Sequence, residues 1–277
     1  MESQSASIIS RRFIAVCDVL GFKDMLRSKQ LDEFVSRYNL VVSNLDHTVR
    51  SNNRFLPEMT DEGDLVHAAI FSDTILIWSA SMVAGDSHLA DLGSISVFFD
   101  TCSSIVNSGI IFGFPFRIGI AYGEVAIDPE RSFFVGQPIV DAHLLEASQE
   151  WIGGACHDSC FEHPAFQGAI DRWWDLIIYD VPLKTGFTSI PALNWPKCGT
   201  SETKTWLHKL TPNSSDSLLN RKYANTEEFF TFARLAHRRF DIRRIMGLSA
   251  DPGPEDSQET VDKYSELLQY INAKFPL

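Results

Sequence analysis

Two apolar runs, AVCDVLGF (15–22) and AIFSDTILIW (69–78), each carry a single aspartate inside a stretch of strand-forming residues. An isolated carboxylate in such a setting is costly to desolvate unless something pairs with it. Asp18 ends the first run and is followed by Val-Leu-Gly-Phe; Asp73 falls where a two-strand hairpin turns. Brought together, two such aspartates would hold a divalent cation against an anionic substrate.

The order of elements around these runs limits the fold. Residues 12–18 read as a strand, and 24–50 as a helix with Leu31, Phe34, Val35, Tyr38, Val41, Val42, Leu45 and Val49 at helical spacing. An acidic loop (57–64) precedes strands at 67–71 and 74–78. A second amphipathic helix, 89–106, is closed by Asn107-Ser108-Gly109. A long strand at 114–127 is followed by its hairpin partner at 131–136 and a short helix at 138–150. This β-α-β-β-α-β order predicts an α+β chain with a ferredoxin-like core.

Beyond the core, 176–184 reads as one more strand and 185–222, rich in Ser, Thr, Pro and Asn, as loops. Helices are expected at 225–247 and 257–274, separated by ADPGPED (250–256). The division is thus a core domain at 10–185 and a loop-rich, helical C-terminal extension at 186–277.

Net charge, −12 over 277 residues, argues against a nucleic-acid partner, while a metal and a few local cations still permit a small phosphorylated ligand. Five cysteines, one of them in a predicted core strand, suit a reducing cytoplasm without a disulfide framework. The N-terminus lacks the apolar segment of a signal peptide, and the apolar stretches fall short of a membrane span. A cytoplasmic location without direct membrane contact is the expectation.

In a βαββαβ fold, the end of the first strand and the turn between the second and third lie side by side. Asp18 and Asp73 would then bridge two divalent ions some ~4 Å apart, the spacing used in phosphoryl chemistry. Val19 could add a backbone carbonyl. The amides of Leu20, Gly21 and Phe22, entering a helix, would cradle phosphate oxygens. Arg117, opening RIGIAYG, would act as a bidentate clamp on a triphosphate. Cys156, His157, Cys160 and His163 cluster, but their spacing matches no common zinc motif and reads as structural. Arg238, Arg239, Arg243 and Arg244 read as a solvated helix face, the alternative being a contact to a partner subunit or a lid over the triphosphate.

Asp-Val-Leu-Gly-Phe, Ser-Asp-Thr and Arg-Ile-Gly-Ile-Ala-Tyr-Gly-Glu, in that order, resemble the pattern of class III nucleotidyl cyclases over residues 12–155. The resemblance implies a head-to-tail homodimer with active sites at its interface. It also implies two Mg²⁺ or Mn²⁺ ions on Asp18 and Asp73, and Arg117 on the triphosphate. The implied reaction is attack of the ribose 3′-oxygen on the α-phosphorus, releasing pyrophosphate.

The departures from that pattern are informative. The places of the family's purine readers hold Ala69 and Phe133, which leaves a base pocket without the usual polar contacts. Those of its asparagine and transition-state arginine hold Val140 and Leu144. This combination, with LLEASQEWIGGA (144–155) and YDVPLK, is similar to the pyrimidine cyclases of bacterial Pycsar anti-phage systems. That branch implies UTP cyclised to cyclic UMP, a messenger read by a separate effector protein. Rival expectations are CTP cyclised to cyclic CMP, a degenerate cyclase-homology domain that binds a nucleotide without turning it over, and a purine cyclase with unusual base readers. His143, or an arginine of the extension, is a candidate for the missing arginine's role.

Overall fold

The computed structural model describes residues 9–55, 63–81, 88–171, 174–199, 201–210 and 217–245, together with residues 262 and 269. Strand β1 (Ile9–Val19) runs at the centre of a mixed sheet, because its residues are apolar on both faces. Its neighbours are β3 (Thr74–Ser79) on one side and β4 (Phe116–Asp128) on the other, both antiparallel. Strand β2 (Val66–Phe71) pairs with β3 at one edge. The order β2-β3-β1-β4, antiparallel throughout, is the ferredoxin-like arrangement expected from the sequence.

The sheet then continues. Strand β6 (Gly153–Cys156) lies parallel to β4, and a hairpin of β7 (Leu176–Leu183) and β8 (Gly186–Leu193) extends the sheet through β8. Short β5 (Phe133–Val135) pairs with the end of β4. The region 185–222, expected to be loops, therefore contains a sheet strand, and also helix α6 (Ser201–Leu210). The boundary expected at 185/186 falls in the turn of the β7–β8 hairpin.

Alternation along β1 sorts the chain into two faces. Phe13, Ala15, Cys17 and Val19 point into the main core, while Ile14 and Val16 point into a smaller cluster on the other face. Two long helices cover the main face. Helix α2 (Leu31–Phe55) buries Phe34, Val41 and Leu45, and α3 (His88–Phe112) buries Ile95, Phe98, Phe99, Cys102 and Val106. Each such side chain removed from water contributes roughly 1.5–3 kcal/mol. The helix expected over 24–50 is in fact two, because the chain extends at Lys29 between α1 (Phe22–Ser28) and α2. Helix α3 runs past Asn107-Ser108-Gly109, its expected stop, and ends before Gly113, whose φ is 88°. The window Gly93–Phe112 is long and apolar enough to cross a membrane, but 67% of it is buried inside the protein.

On the second face lies α4 (Gln137–Ser148), whose buried residues Pro138, Ala142 and Glu146 recur every fourth position. It rests against Gly119: a Cβ there would stand 1.9 Å from the Ala142 carbonyl oxygen and 2.7 Å from the Glu146 amide. Only glycine permits that approach. Short α5 (Phe166–Asp171) precedes β7, and the long α7 (Ser217–Ile245) packs its Phe229 against Trp151 and Trp195. The helix expected at 225–247 thus starts a little earlier. The one expected at 257–274, most of the acidic loop and the side chains of Arg238, Arg239, Arg243 and Arg244 lie outside the described residues.

Candidate active site

The strand register brings Asp18 and Arg117 to one end of the second face, and the β2–β3 hairpin loop carries Asp73 close enough for its charge to act on Asp18. Asp18 stands opposite Thr74 on β3 and opposite Arg117 on β4. Ser72 and Asp73 form the two-residue loop between β2 and β3, with Ser72 at φ 60° as its first central residue. Tyr38 of α2 donates a hydrogen bond to the Ser72 carbonyl at 3.0 Å, which ties this loop to the main-face helices.

The charge of Asp73 reaches Asp18. Burial raises the Asp18 carboxyl above its usual range against the opposing charge of Arg117, and the Asp73 charge pushes it further up. The Tyr38 phenol is pushed up to about 12, by burial first and then by the charge of Asp73, with Asp18 adding. An excess of negative charge is thus held in a partly desolvated place. Carboxylate oxygens are the donors that Mg²⁺ and Mn²⁺ prefer, so the pair fits such ions. Among the described residues, no group of three or more His, Cys, Asp or Glu side chains is placed to hold a metal. Phosphate and water oxygens would have to complete the coordination. Cys156, Cys160 and His163 are buried in the protein interior, in keeping with the structural reading of that cluster.

Arg117 is the cation of the site. Its Nη2 lies 3.2 Å from Asp18 Oδ2, as a hydrogen bond, and 2.7 Å from Glu146 Oε1. Its Nη1 donates to the Gln149 carbonyl at 3.3 Å. The Nε is buried without an acceptor, a donor left for an incoming oxygen.

Glu146 was not among the sequence candidates. It is 2% exposed, and burial outweighs the attraction of Arg117, pushing its carboxyl up to about 7. Lys184, at the end of β7, is close enough for its charge to act against that rise. The signal available in the sequence was spacing: Glu146 falls on the Pro138–Ala142 face of α4, where an apolar residue is expected.

The remaining candidates fall into place as follows. Leu20 donates its amide to the Pro115 carbonyl at 2.8 Å, so it is already committed and leaves the cradle expected there. Gly21, at φ 76°, turns the chain into α1, which Phe22 opens. Val19 buries its side chain on the main face and faces Phe116 across the sheet. Ala69 packs on the second-face cluster. Phe134, next to Phe133, joins that cluster, with Phe71 and Trp78 as ring neighbours. Strand alternation turns Phe133 the other way, and it is 44% exposed. Val140 and Leu144 project outward from α4, at 49% and 61% exposure. His143 Nδ1 lies 3.9 Å from Glu146 Oε2, on the arginine-bearing side of the site.

No protein-family model matches the chain, and no curated protein matches it. Among solved structures it is similar to a bacterial light-regulated adenylyl cyclase, at 11% identity and a TM-score of 0.40, covering 73% of this chain and 98% of that one. It is also similar to the adenylyl cyclase CyaB from P. aeruginosa, at 9% identity and a TM-score of 0.44, covering 67% and 94%. A third is the guanylate cyclase domain of RhGC from Catenaria anguillulae in complex with GTP, at 12% identity and a TM-score of 0.41, covering 66% and 96%. Likeness at this level carries no information on activity. The fold is defined by strand order and register.

Proposed function

We propose that this chain is a nucleotidyl cyclase that converts UTP to 3′,5′-cyclic UMP and pyrophosphate. The reading is supported by the Asp18–Arg117 pair across β1 and β4, with the Asp73 loop near enough for its charge to act on Asp18. Asp18 and Asp73 would hold two Mg²⁺ or Mn²⁺ ions, with a Val19 carbonyl as a further donor. Bound there, such ions would lower the pKa of the ribose 3′-hydroxyl and neutralise charge on the phosphates. The 3′-oxygen bonds to the α-phosphorus, the bond from that phosphorus to the bridging oxygen breaks, and the hydroxyl proton leaves to solvent. Pyrophosphate departs with the β- and γ-phosphates.

The protein's own groups bind and orient. Arg117 turns its orphaned Nε and a guanidinium edge from Asp18 toward the triphosphate, backed by Glu146. The amides of Gly21 and Phe22 approach the phosphates, and Lys184 adds positive charge near Glu146. Ala69 and the Phe133-Phe134 strand would border the base, and neither Ala69 nor Phe133 offers the polar contact of a purine reader.

The outward Val140 and Leu144 give α4 an apolar outer face, and Phe71 is 42% exposed on the same face of the sheet. Exposed apolar side chains grouped in this way suit burial against a second copy. The reading is therefore of a homodimer with its active sites at the interface. The product would be a messenger read by a separate effector in antiviral defence, made in the cytoplasm.

The test is product analysis. Purified protein incubated separately with ATP, GTP, CTP and UTP plus Mn²⁺ is followed by mass spectrometry. Cyclic UMP as the main product is expected. Cyclic CMP would move the specificity to cytosine, and cyclic AMP or GMP would remove the pyrimidine reading. No cyclic product from any of the four would leave a nucleotide-binding domain without activity.

A further inference from the structure

The loop between α4 and β6, Gln149–Ile152, has hydrogen-bond partners on β4, on β7 and on α7. Toward β4, the Gln149 carbonyl accepts from Arg117 Nη1 at 3.3 Å, and its side-chain amide donates to the Ile118 carbonyl at 2.9 Å. Gly153, the next residue after the loop, is the register partner of Arg117 across the parallel β4–β6 ladder. Toward α7, Asn225 Nδ2 donates to the Glu150 carbonyl at 2.8 Å, and the Ile152 amide donates to Thr226 Oγ1 at 2.8 Å. The Glu150 carboxylate, 7% exposed, is met by Arg221 at 3.1 Å and Lys222 at 3.4 Å. The Trp151 ring lies edge-on to Phe229 at 4.6 Å, and its Nε1 donates to Gln149 Oε1 at 2.6 Å.

Arg221, Lys222, Asn225, Thr226 and Phe229 recur at intervals of three and four, so they form one stripe along α7. That stripe supplies the partners of a carbonyl, an amide and a carboxylate of the loop. Unmade, each buried group would cost on the order of 1–3 kcal/mol. The Glu150 amide on the Pro182 carbonyl, at 2.8 Å, and the Gln149–Leu183 bridge anchor the start of the loop on β7; α7 holds its other side, and the same loop holds Arg117 from behind.

We propose that α7 is a positioning strut for Arg117. Asn225 and Thr226 fix the loop Gln149–Ile152, and the loop fixes the guanidinium, so that the C-terminal helix sets the affinity of the site for phosphate. The proposal rests on the reading of Arg117 as a phosphate clamp and gives the extension a part in substrate binding.

The test is calorimetric titration of the full chain with inorganic pyrophosphate in the presence of Mn²⁺. The pair Asn225→Ala and Thr226→Val should bind pyrophosphate about tenfold more weakly than the unaltered chain, from two hydrogen bonds lost. Thr226→Ser, which keeps the hydroxyl, should bind as the unaltered chain does. In an Arg117→Gln background the same pair should change nothing further, an outcome that simple loosening of the fold would not give. If the pair does not melt cooperatively, Asn225→Ala alone, from a half-buried position, carries the comparison. Unchanged affinity in the pair, or an equal loss with and without Arg117, would overturn the strut. If Arg117→Gln alone leaves pyrophosphate binding intact, the clamp reading itself fails, and the strut with it.

Discussion

Asp73→Ala should lower cyclic-nucleotide formation by about a thousandfold while leaving the protein folded. The loss follows from the cation chemistry asked of the site, which supplies several kcal/mol of charge stabilisation, and each 1.4 kcal/mol is tenfold in rate. The fold should tolerate the change because Asp73 is in a hairpin loop and the adjoining Phe71–Thr74 pair does not depend on its side chain. Removal of its charge should also let the Asp18 carboxyl fall back toward its ordinary range, since Asp73 contributes to the rise. Steady-state rates with Mn²⁺, alongside thermal melting, check both halves. Retained turnover would take Asp73 out of the metal site.

Gly119→Ala should be the most damaging single change to the fold. Its Cβ would meet two backbone atoms of α4, at 1.9 Å and 2.7 Å, and neither can rotate away as a side-chain end can. Helix α4 would have to lift, and overpacking of this kind costs about 3 kcal/mol or more. For a chain of this size that corresponds to a fall in melting temperature of about 10 °C. Because Glu146 leaves with α4, Arg117 would lose its buried partner, and activity should fall even where the variant stays folded. Thermal melting and turnover of the same sample test this. A variant as stable as the unaltered chain would mean that α4 does not rest on β4 as described.

The core was legible in the sequence because its physics is local. Apolar runs such as FIAVC and TILIW can only be central strands, and the aspartates that end or join them mark where strands stop. What was lost depended on tertiary context. Strand β8 was hidden because its first four residues are exposed and read as loop, while only its second half is buried. The helix expected at 24–50 carries a steady apolar rhythm, which conceals the extended Lys29 between α1 and α2.

In the site, Asp18, Asp73 and Arg117 could be named because each sits at a fixed place in the strand order. Glu146 could not, since a glutamate in an amphipathic helix is ordinarily solvated. Its burial follows from Gly119, which lets α4 approach the sheet closely enough to bring the carboxylate against Arg117. Phe134 was not singled out, because in a three-residue strand one step in register exchanges the two faces and only the packing shows which ring meets the second-face cluster. The role of α7 was out of reach for a different reason. It acts through hydrogen bonds to a loop about 75 residues earlier in the chain, and such pairings leave no periodic trace in the sequence.

The claim on which the account turns is that Asp18 and Asp73 together form one cation site. Crystals grown with Mn²⁺ and a non-hydrolysable UTP analogue, measured at the manganese absorption edge, test it directly. The account predicts two anomalous peaks per active site, both against the carboxylates of Asp18 and Asp73, with Arg117 turned from Asp18 onto the phosphates. Manganese absent from these two carboxylates, with Arg117 still paired to Asp18 while the analogue is bound, would contradict it.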